Sequence, residues 1–301
     1  MFSRRHPYLF FILGLTSILA IVVICTSILV FISSKDSRLD FSEKVGVVEV
    51  TGVISDSRDI LDSLKEFREN DSIKAIVVRI DSPGGSVGPS QEIYREILKT
   101  KKKKKVVASM GGIAASGGYY IASATDGIVA NPGTITGSIG VIMGFTNFRK
   151  LLDKIGLTPI VIKSGEYKDT GSPIREMSLI EKRMLESFVK RIHKQFIEDV
   201  SSGRKLEKDR VESIADGRIL TGEEAKGLGL VDRLGNFHDA VQWAGELGGI
   251  KGEITSIFTK EKKPSWLKYL LESSIRTILD RAADPTLHGG YLYHPAQTAS
   301  P

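Results

Sequence analysis

Cysteine is almost absent from this chain: Cys25 is the one thiol in 301 residues, so no disulfide can form within it. Cys25 lies in an apolar run, where it behaves as a small hydrophobe. One cysteine is compatible with export to an oxidising compartment and equally with a reducing one. Histidine is sparse too, and no two of the five stand at the helical spacing of a metal-ligand pair, which disfavours a zinc peptidase. A diffuse basic surface is missing despite the formal charge of +6. Lys101 to Lys105 with Arg4 and Arg5 carry that excess, so nucleic acid is set aside as a partner. No sheet pattern recurs within the chain, and a hydrophobic content of 41% is ordinary for a globular protein.

What is present begins with an uncharged run over residues 8–32. As a helix rising about 1.5 Å per residue, it outspans a hydrocarbon core of about 30 Å. The apolar stretch of a cleavable signal peptide is shorter, about 7–15 residues, so the run reads as a retained transmembrane anchor. Arg4, Arg5 and His6 precede it and place the amino terminus, residues 1–7, in the cytoplasm, although Lys35 and Arg38 weaken the asymmetry. The expected layout is then a polar tether at 33–44, an exported domain at 45–251 and a tail at 252–301.

Apolar β-rich runs at 45–53, 75–80 and 106–110 alternate with helical spacing at 58–69 (Ile60, Leu61, Leu64, Phe67) and 91–100 (Ile93, Tyr94, Ile97, Leu98). That alternation predicts an α/β fold, a mostly parallel sheet with flanking helices. A short strand is expected at 159–162, helices at 179–201 and 237–247, and a helix opened by Thr221 with Glu224 at capping-box spacing. Lys101 to Lys105 read as a solvated turn at the end of a helix. In the tail, Trp266, Tyr269, Leu270, Ile275, Ile278 and Leu279 approximate one apolar helical face, with Lys268, Glu272 and Arg276 elsewhere. From about Asp284 onward the chain end is a candidate self-substrate.

Three loops bear on chemistry. Asp81-Ser82-Pro83-Gly84-Gly85 follows a buried strand, and its glycines let backbone N–H groups turn toward an oxyanion, although the same residues also make a plain turn. Ala114-Ala115-Ser116-Gly117-Gly118 sets one hydroxyl among small residues where a strand ends and a helix begins; the competing reading is a helix N-cap. A serine nucleophile needs a base, and the histidines are poorly placed for that role. Lysine remains, and Ile162-Lys163-Ser164-Gly165-Glu166-Tyr167-Lys168-Asp169 offers two, between which the local sequence does not choose.

Together these segments resemble signal peptide peptidase SppA, the serine/lysine peptidase family with a ClpP/crotonase-like fold, in its short single-domain form. The resemblance spans about residues 45–247 and includes Thr136-Gly137-Ser138-Ile139-Gly140-Val141, Ser172-Pro173 beyond the lysines, and Ala215-Asp216-Gly217-Arg218. It implies Ser116 as nucleophile, Lys168 and not Lys163 as general base, and Ser138 as the hydroxyl that orients the lysine amine. It also implies Gly85 as an oxyanion donor with Gly117 as the second, and no cofactor or metal. It further implies a ring-like homo-oligomer in which neighbouring protomers complete the dyad, with remnant signal peptides as substrates. The implied location is a bacterial inner membrane, with the catalytic domain on the periplasmic or extracellular side beside lipid. The alternatives are a related membrane peptidase that cleaves one membrane-protein partner, such as a stomatin-type protein, and a non-catalytic crotonase-fold scaffold or acyl-thioester binder.

Overall fold

A computed structural model describes residues 7–35, 43–259 and 290–292. The chain divides into two units, Met1–Ser42 and Glu43–Pro301. In the first, helix α1 (Pro7–Lys35) continues for 29 residues and its described apolar side chains are exposed. Among the described residues no helix is long and apolar enough to cross a membrane. Side chains in α1 are described without interruption only over 14–28. The expected transmembrane anchor thus rests on the hydropathy of the run and not on a span found in the structure.

The second unit runs β1 (Lys44–Thr51), α2 (Arg58–Glu69), β2 (Ile73–Ser82), β3 (Gly84–Ser86), α3 (Val87–Lys101), β4 (Lys105–Ala115), α4 (Gly117–Ser123), β5 (Gly127–Ala130) and β6 (Ile135–Gly137). There follow α5 (Arg149–Lys154), α6 (Leu179–Arg204), α7 (Lys208–Ile214), β7 (Ile219–Thr221), α8 (Gly222–Gly227), β8 (Arg233–Leu234), α9 (Phe237–Leu247), β9 (Thr255–Phe258) and β10 (Gly290–Leu292). Eight strands form one sheet with the path β7-β6-β4-β2-β1-β9, and β5 branches from β4 to reach β8. Every pairing in it is parallel except β6 with β7. The mixed α/β architecture with a mostly parallel sheet is the one expected.

Successive side chains of a strand point to opposite faces, so a sheet covered on both sides needs apolar residues at both parities. Val45 and Val47 of β1 and Ala75 and Val77 of β2 join a core completed by Ala240, Val241 and Ala244 of α9. Val48, Val50, Ile76, Val78 and Ile80 fill the other core with Leu64 and Phe67 of α2 and Ile93 and Ile97 of α3. Each such side chain contributes about 1.5–3 kcal/mol by leaving water. The helix expected at 58–69 forms as Arg58–Glu69, and that at 237–247 as Phe237–Leu247. Thr221 caps α8 through a capping box with Glu224.

Strand β4 carries the architecture toward the site. Its residues 107–109 pair with β5, and its residues 113–115 pair instead with β6. Between the two stretches its register against β2 slips, between Ile80 and Ser82. At the slip, a Cβ on Gly111 would lie 2.8 Å from Asp81 Cγ, and Ile113 N–H donates to Asp81 Oδ1 at 3.1 Å. The sheet forks there, and β4 outruns the expected 106–110 to end at Ala115.

Other expectations change. Residues 159–162 form no strand, and Ile160 and Ile162 are 87% and 97% exposed. Apolar β-rich sequence makes a strand only where a neighbour satisfies its backbone edge, and none does so here among the described residues. Beyond residue 251, β9 joins the sheet in parallel beside β1. The lysine run is not purely solvated: Lys101 Nζ donates to the Thr125 carbonyl at 3.0 Å and Lys104 Nζ to the Phe67 carbonyl at 2.7 Å. Burial lowers the pKa of both amines. The apolar face expected around Trp266 lies outside the described residues.

Candidate active site

Ser116 stands directly after β4, where the chain reverses into α4, with φ 54° and ψ −117°. A serine in so sparsely populated a conformation costs on the order of 1–3 kcal/mol, which the surroundings must hold in place. Its N–H donates to the Gly137 carbonyl at 2.9 Å, beyond the last β4–β6 rung that pairs Ala115 with Gly137. Its carbonyl accepts from Tyr120 N–H at 2.8 Å, yet its hydroxyl does not cap α4. The N-cap reading therefore accounts for the backbone of Ser116 and leaves the hydroxyl uncommitted.

Ser138 occupies the equivalent place on the neighbouring strand. It follows Gly137 of β6 and also has a positive φ, 51°, and its N–H donates to the Arg218 carbonyl at 2.8 Å. The Ala215-Asp216-Gly217-Arg218 loop thus supports β6 from behind, and Gly217 Cα would lie 3.2 Å from a Cβ on Gly140. Paired strand ends carry the two hydroxyl residues, and the rung between them sets their spacing.

The glycines converge on the same point. Ile54 N–H donates to the Gly84 carbonyl at 2.9 Å, and Ser86 N–H donates to the Ile54 carbonyl at 2.7 Å. Within a strand, adjacent residues turn their N–H and C=O groups to opposite edges, so the N–H of Gly85 points away from Ile54. A Cβ on Gly85 would lie 2.2 Å from Ile54 O, so only glycine lets the two backbones approach. A Cβ on Gly117 would lie 3.2 Å from Gly85 N and 2.7 Å from Ser90 Oγ, so the two glycines are neighbours beside Ser116. Along the other edge of β3 runs β10, antiparallel, with Tyr291 opposite Gly85.

Lys163 and Lys168 part company. Lys163 Nζ is engaged with Asp169 Oδ1 at 2.7 Å and the Glu166 carbonyl at 2.8 Å. Lys168 is exposed, and among the described residues its amine has no hydrogen bond or ion pair. The structure brings Ser116, Ser138, Gly85 and Gly117 together within one subunit, and it does not join Lys168 to Ser116 or Ser138. Between residues 142 and 180 the exposed apolar side chains include Ile142, Ile160, Ile162, Tyr167 and Ile180. A cavity of about 530 Å³ is lined by Ile142, Met143, Phe145, Met177, Leu185 and Val189 among others.

Several supporting residues escaped sequence reasoning. Ser82 Oγ accepts from Gly84 N–H at 3.1 Å and shapes the Gly84-Gly85 loop. Ser90 Oγ donates to the Ser86 carbonyl at 2.9 Å beneath Gly117. Thr136 Oγ1 donates to the Ala114 carbonyl at 2.7 Å and fastens β6 to the end of β4. Isolated hydroxyl residues carry no periodic signal. Glu181 did leave one: Ser178-Leu179-Ile180-Glu181 has capping-box spacing, and both bonds of that box form at the start of α6.

Comparison with known proteins supplies the family. The profile of Peptidase family S49 matches residues 98–251, and that of Clp protease matches residues 44–131. A protein of Synechocystis sp. that carries a protease name is 44% identical over 242 residues, covering 79% of this chain and 87% of its own. An Enterococcus faecium protein named for signal peptide peptidase SppA is 36% identical over 214 residues, covering 66% of this chain and 62% of its own. Protease 4 of Salmonella typhi is 34% identical over 261 residues, 82% of this chain and 42% of that one.

Proposed function

The chain belongs to peptidase family S49 and is an SppA-like serine-type peptidase, and on that footing we propose a membrane-anchored endopeptidase that cuts remnant signal peptides with Ser116 and Lys168. One observation carries the reading: Ser116, held on a strained turn with its hydroxyl unused as a cap, adjoins Gly117, where a Cβ would lie 3.2 Å from Gly85 N.

The proposed chemistry starts with a peptide added as an antiparallel strand to the edge of β3 that β10 occupies, in place of β10. The neutral amine of Lys168 takes the proton from Ser116 Oγ as that oxygen attacks the scissile carbonyl. The carbonyl oxygen becomes an oxyanion facing the N–H groups of Gly85 and Gly117, and such a donor contributes about 10²–10³ in rate. Collapse breaks the C–N bond, and the lysine ammonium returns its proton to the departing amine. Water, deprotonated by the same amine, then attacks the acyl-enzyme ester; the C–O bond breaks, the peptide acid leaves, and the lysine ammonium returns the proton to Ser116 Oγ. Ser138 is the proposed hydrogen-bond partner that aims the lysine amine.

A neighbouring protomer is the proposed source of Lys168 for each Ser116, in a ring-like homo-oligomer. The support is the exposed amine of Lys168 amid exposed apolar side chains, which a second copy would cover. Anchoring in a bacterial inner membrane by residues 8–32, with the catalytic domain outside the cytoplasm, is supported by the uncharged run and its helical backbone. The end of the chain is a proposed self-substrate, because β10 already lies on the edge a peptide would use.

The test is hydrolysis of a synthetic signal peptide by the full chain in detergent, with Ser116→Ala as control and product masses to locate the cut. Mixing Ser116→Ala with Lys168→Ala subunits should restore turnover if neighbours complete the dyad. No restoration after confirmed subunit exchange would place both groups in one subunit. Absence of fluorophosphonate labelling at Ser116 would favour a non-catalytic scaffold.

A further inference from the structure

Lys168 lies in the irregular stretch between α5 and α6, where no sheet or helix hydrogen bonds fix it. Something else must hold the turn, since a base displaced by 1 Å can cost about 10²-fold in rate. Its own backbone closes tight local turns: Lys168 N–H donates to the Gly165 carbonyl at 3.2 Å, and Ser172 N–H to the Asp169 carbonyl at 3.0 Å. Next to it, Asp169 is held by Arg175, whose Nε and Nη2 reach its two carboxylate oxygens at 2.8 and 2.9 Å, while Nη2 also reaches its carbonyl at 3.1 Å.

The same guanidinium turns its remaining donors to Glu181 of α6. Nη1 donates to Glu181 Oε2 at 2.9 Å and to the Glu176 carbonyl at 3.0 Å, and Nη2 pairs with Glu181 Oε1. Glu181 is 3% exposed, and its carboxylate also accepts from Ser178 N–H at 2.8 Å and Thr170 Oγ1 at 3.1 Å. A capping box needs only the Ser178 contacts, so burying this carboxylate against a guanidinium is an addition that the start of α6 does not require. Arg175, then Lys163, holds the Asp169 carboxyl well below the usual carboxylate range, and Arg175 with Ser178 does the same to Glu181.

A third segment fastens from the other side. Asn147 Nδ2 donates to the Arg175 carbonyl at 2.8 Å, Phe148 N–H donates to the Pro173 carbonyl at 2.6 Å, and a Cβ on Gly171 would lie 2.3 Å from the Phe145 ring. We infer that Arg175 is a positioning residue for the reaction: clamped between Asp169 and Glu181, it fixes the turn that presents Lys168 to its substrate-bound serine. This rests on the reading of Lys168 as general base. A planar fork that meets two carboxylates at once cannot be replaced by an ammonium, which offers a single point of charge.

The experiment measures kcat and KM on a signal-peptide substrate with the full chain in detergent, for Arg175→Ala, Arg175→Lys, Asp169→Asn and Lys168→Ala. Arg175→Ala should lower kcat by about 10²-fold with KM changed less than about threefold. Arg175→Lys should recover little, and methylguanidine added to Arg175→Ala should recover part of the turnover. Should Arg175→Ala fail to fold, Asp169→Asn decides, because it leaves the Arg175–Glu181 pair at the cap of α6 intact. A fall in its kcat at unchanged KM supports the inference. Normal kcat in a folded Arg175→Ala, or in Asp169→Asn where Arg175→Ala does not fold, with Lys168→Ala inactive, overturns it alone. An active Lys168→Ala would instead remove the dyad on which it stands.

Discussion

The two halves of the proposed dyad are built by opposite means. Ser116 is delivered by the sheet: β4 forks, its far end pairs with β6, and the rung at Ala115 and Gly137 sets both Ser116 and Ser138 on positive-φ turns. Lys168 belongs to a stretch without strand or helix, tied down by one guanidinium and two carboxylates. A nucleophile must be strained and rigid, and a buried parallel sheet supplies that rigidity through its backbone ladder. A lysine that meets a neighbouring subunit must stay accessible, so its positioning falls to side-chain ion pairs. Loss of a carbonyl partner should therefore damage the first half, and loss of a charge the second.

Substitution at the reacting atoms has the largest expected effect. Ser116→Ala and Lys168→Ala should each lower kcat by at least about 10⁴-fold, since members of such a unit fail together. Both should keep the wild-type Tm, because the Ser116 hydroxyl caps nothing and the Lys168 amine is exposed. A Lys168→Ala enzyme with near-normal turnover would break the contrast, leaving one half with no chemical role.

Gly85→Ala comes next. Its Cβ would need to sit 2.2 Å from Ile54 O, so β3 must shift and carry the proposed oxyanion donor with it. Loss of that donor should cost about 10²–10³ in kcat, and KM should rise as the strand edge moves. Peptide kinetics that match wild type would show that the oxyanion is held elsewhere.

Acid should separate the halves without mutation. Asp169 and Glu181 titrate below their ordinary values of 3.8 and 4.5 in the folded chain. A depressed carboxylate stabilises fully above its unfolded value, above about pH 5 here, and that contribution is lost as pH falls through the depressed folded range. The protection of residues 163–181 against hydrogen exchange, relative to the intrinsic rate at each pH, should therefore fall as pH drops below about 4, while β4 and β6 stay protected. Simultaneous loosening of both regions would mean that the clamp and the sheet are one cooperative unit.

The smallest effect is expected at Lys163. Its amine supports Asp169, but Arg175 makes most of the contacts to that residue. Lys163→Ala should keep turnover within about threefold, in line with a partly exposed ion pair of modest worth. An inactive Lys163→Ala beside an active Lys168→Ala would exchange their roles.

Much of this arrangement was already determined by the sequence. Periodicity placed α2 and α9 at their observed bounds, because an amphipathic stripe has one way to bury itself, and capping chemistry placed the start of α8. The Gly84-Gly85 and Gly117-Gly118 pairs marked the loops that bear on chemistry, and close backbone approach is found at Gly85, Gly117 and Gly118. Tertiary structure decided what depends on partners distant in the chain. Residues 159–162 have strand chemistry and no strand, because among the described residues no neighbouring edge is offered to them. Ser116 takes its positive-φ turn where β6, more than twenty residues on, holds its N–H. Lys163 and Lys168 look alike in one dimension, and only the placement of Asp169, Arg175 and Glu181 commits one amine to an ion pair and leaves the other exposed.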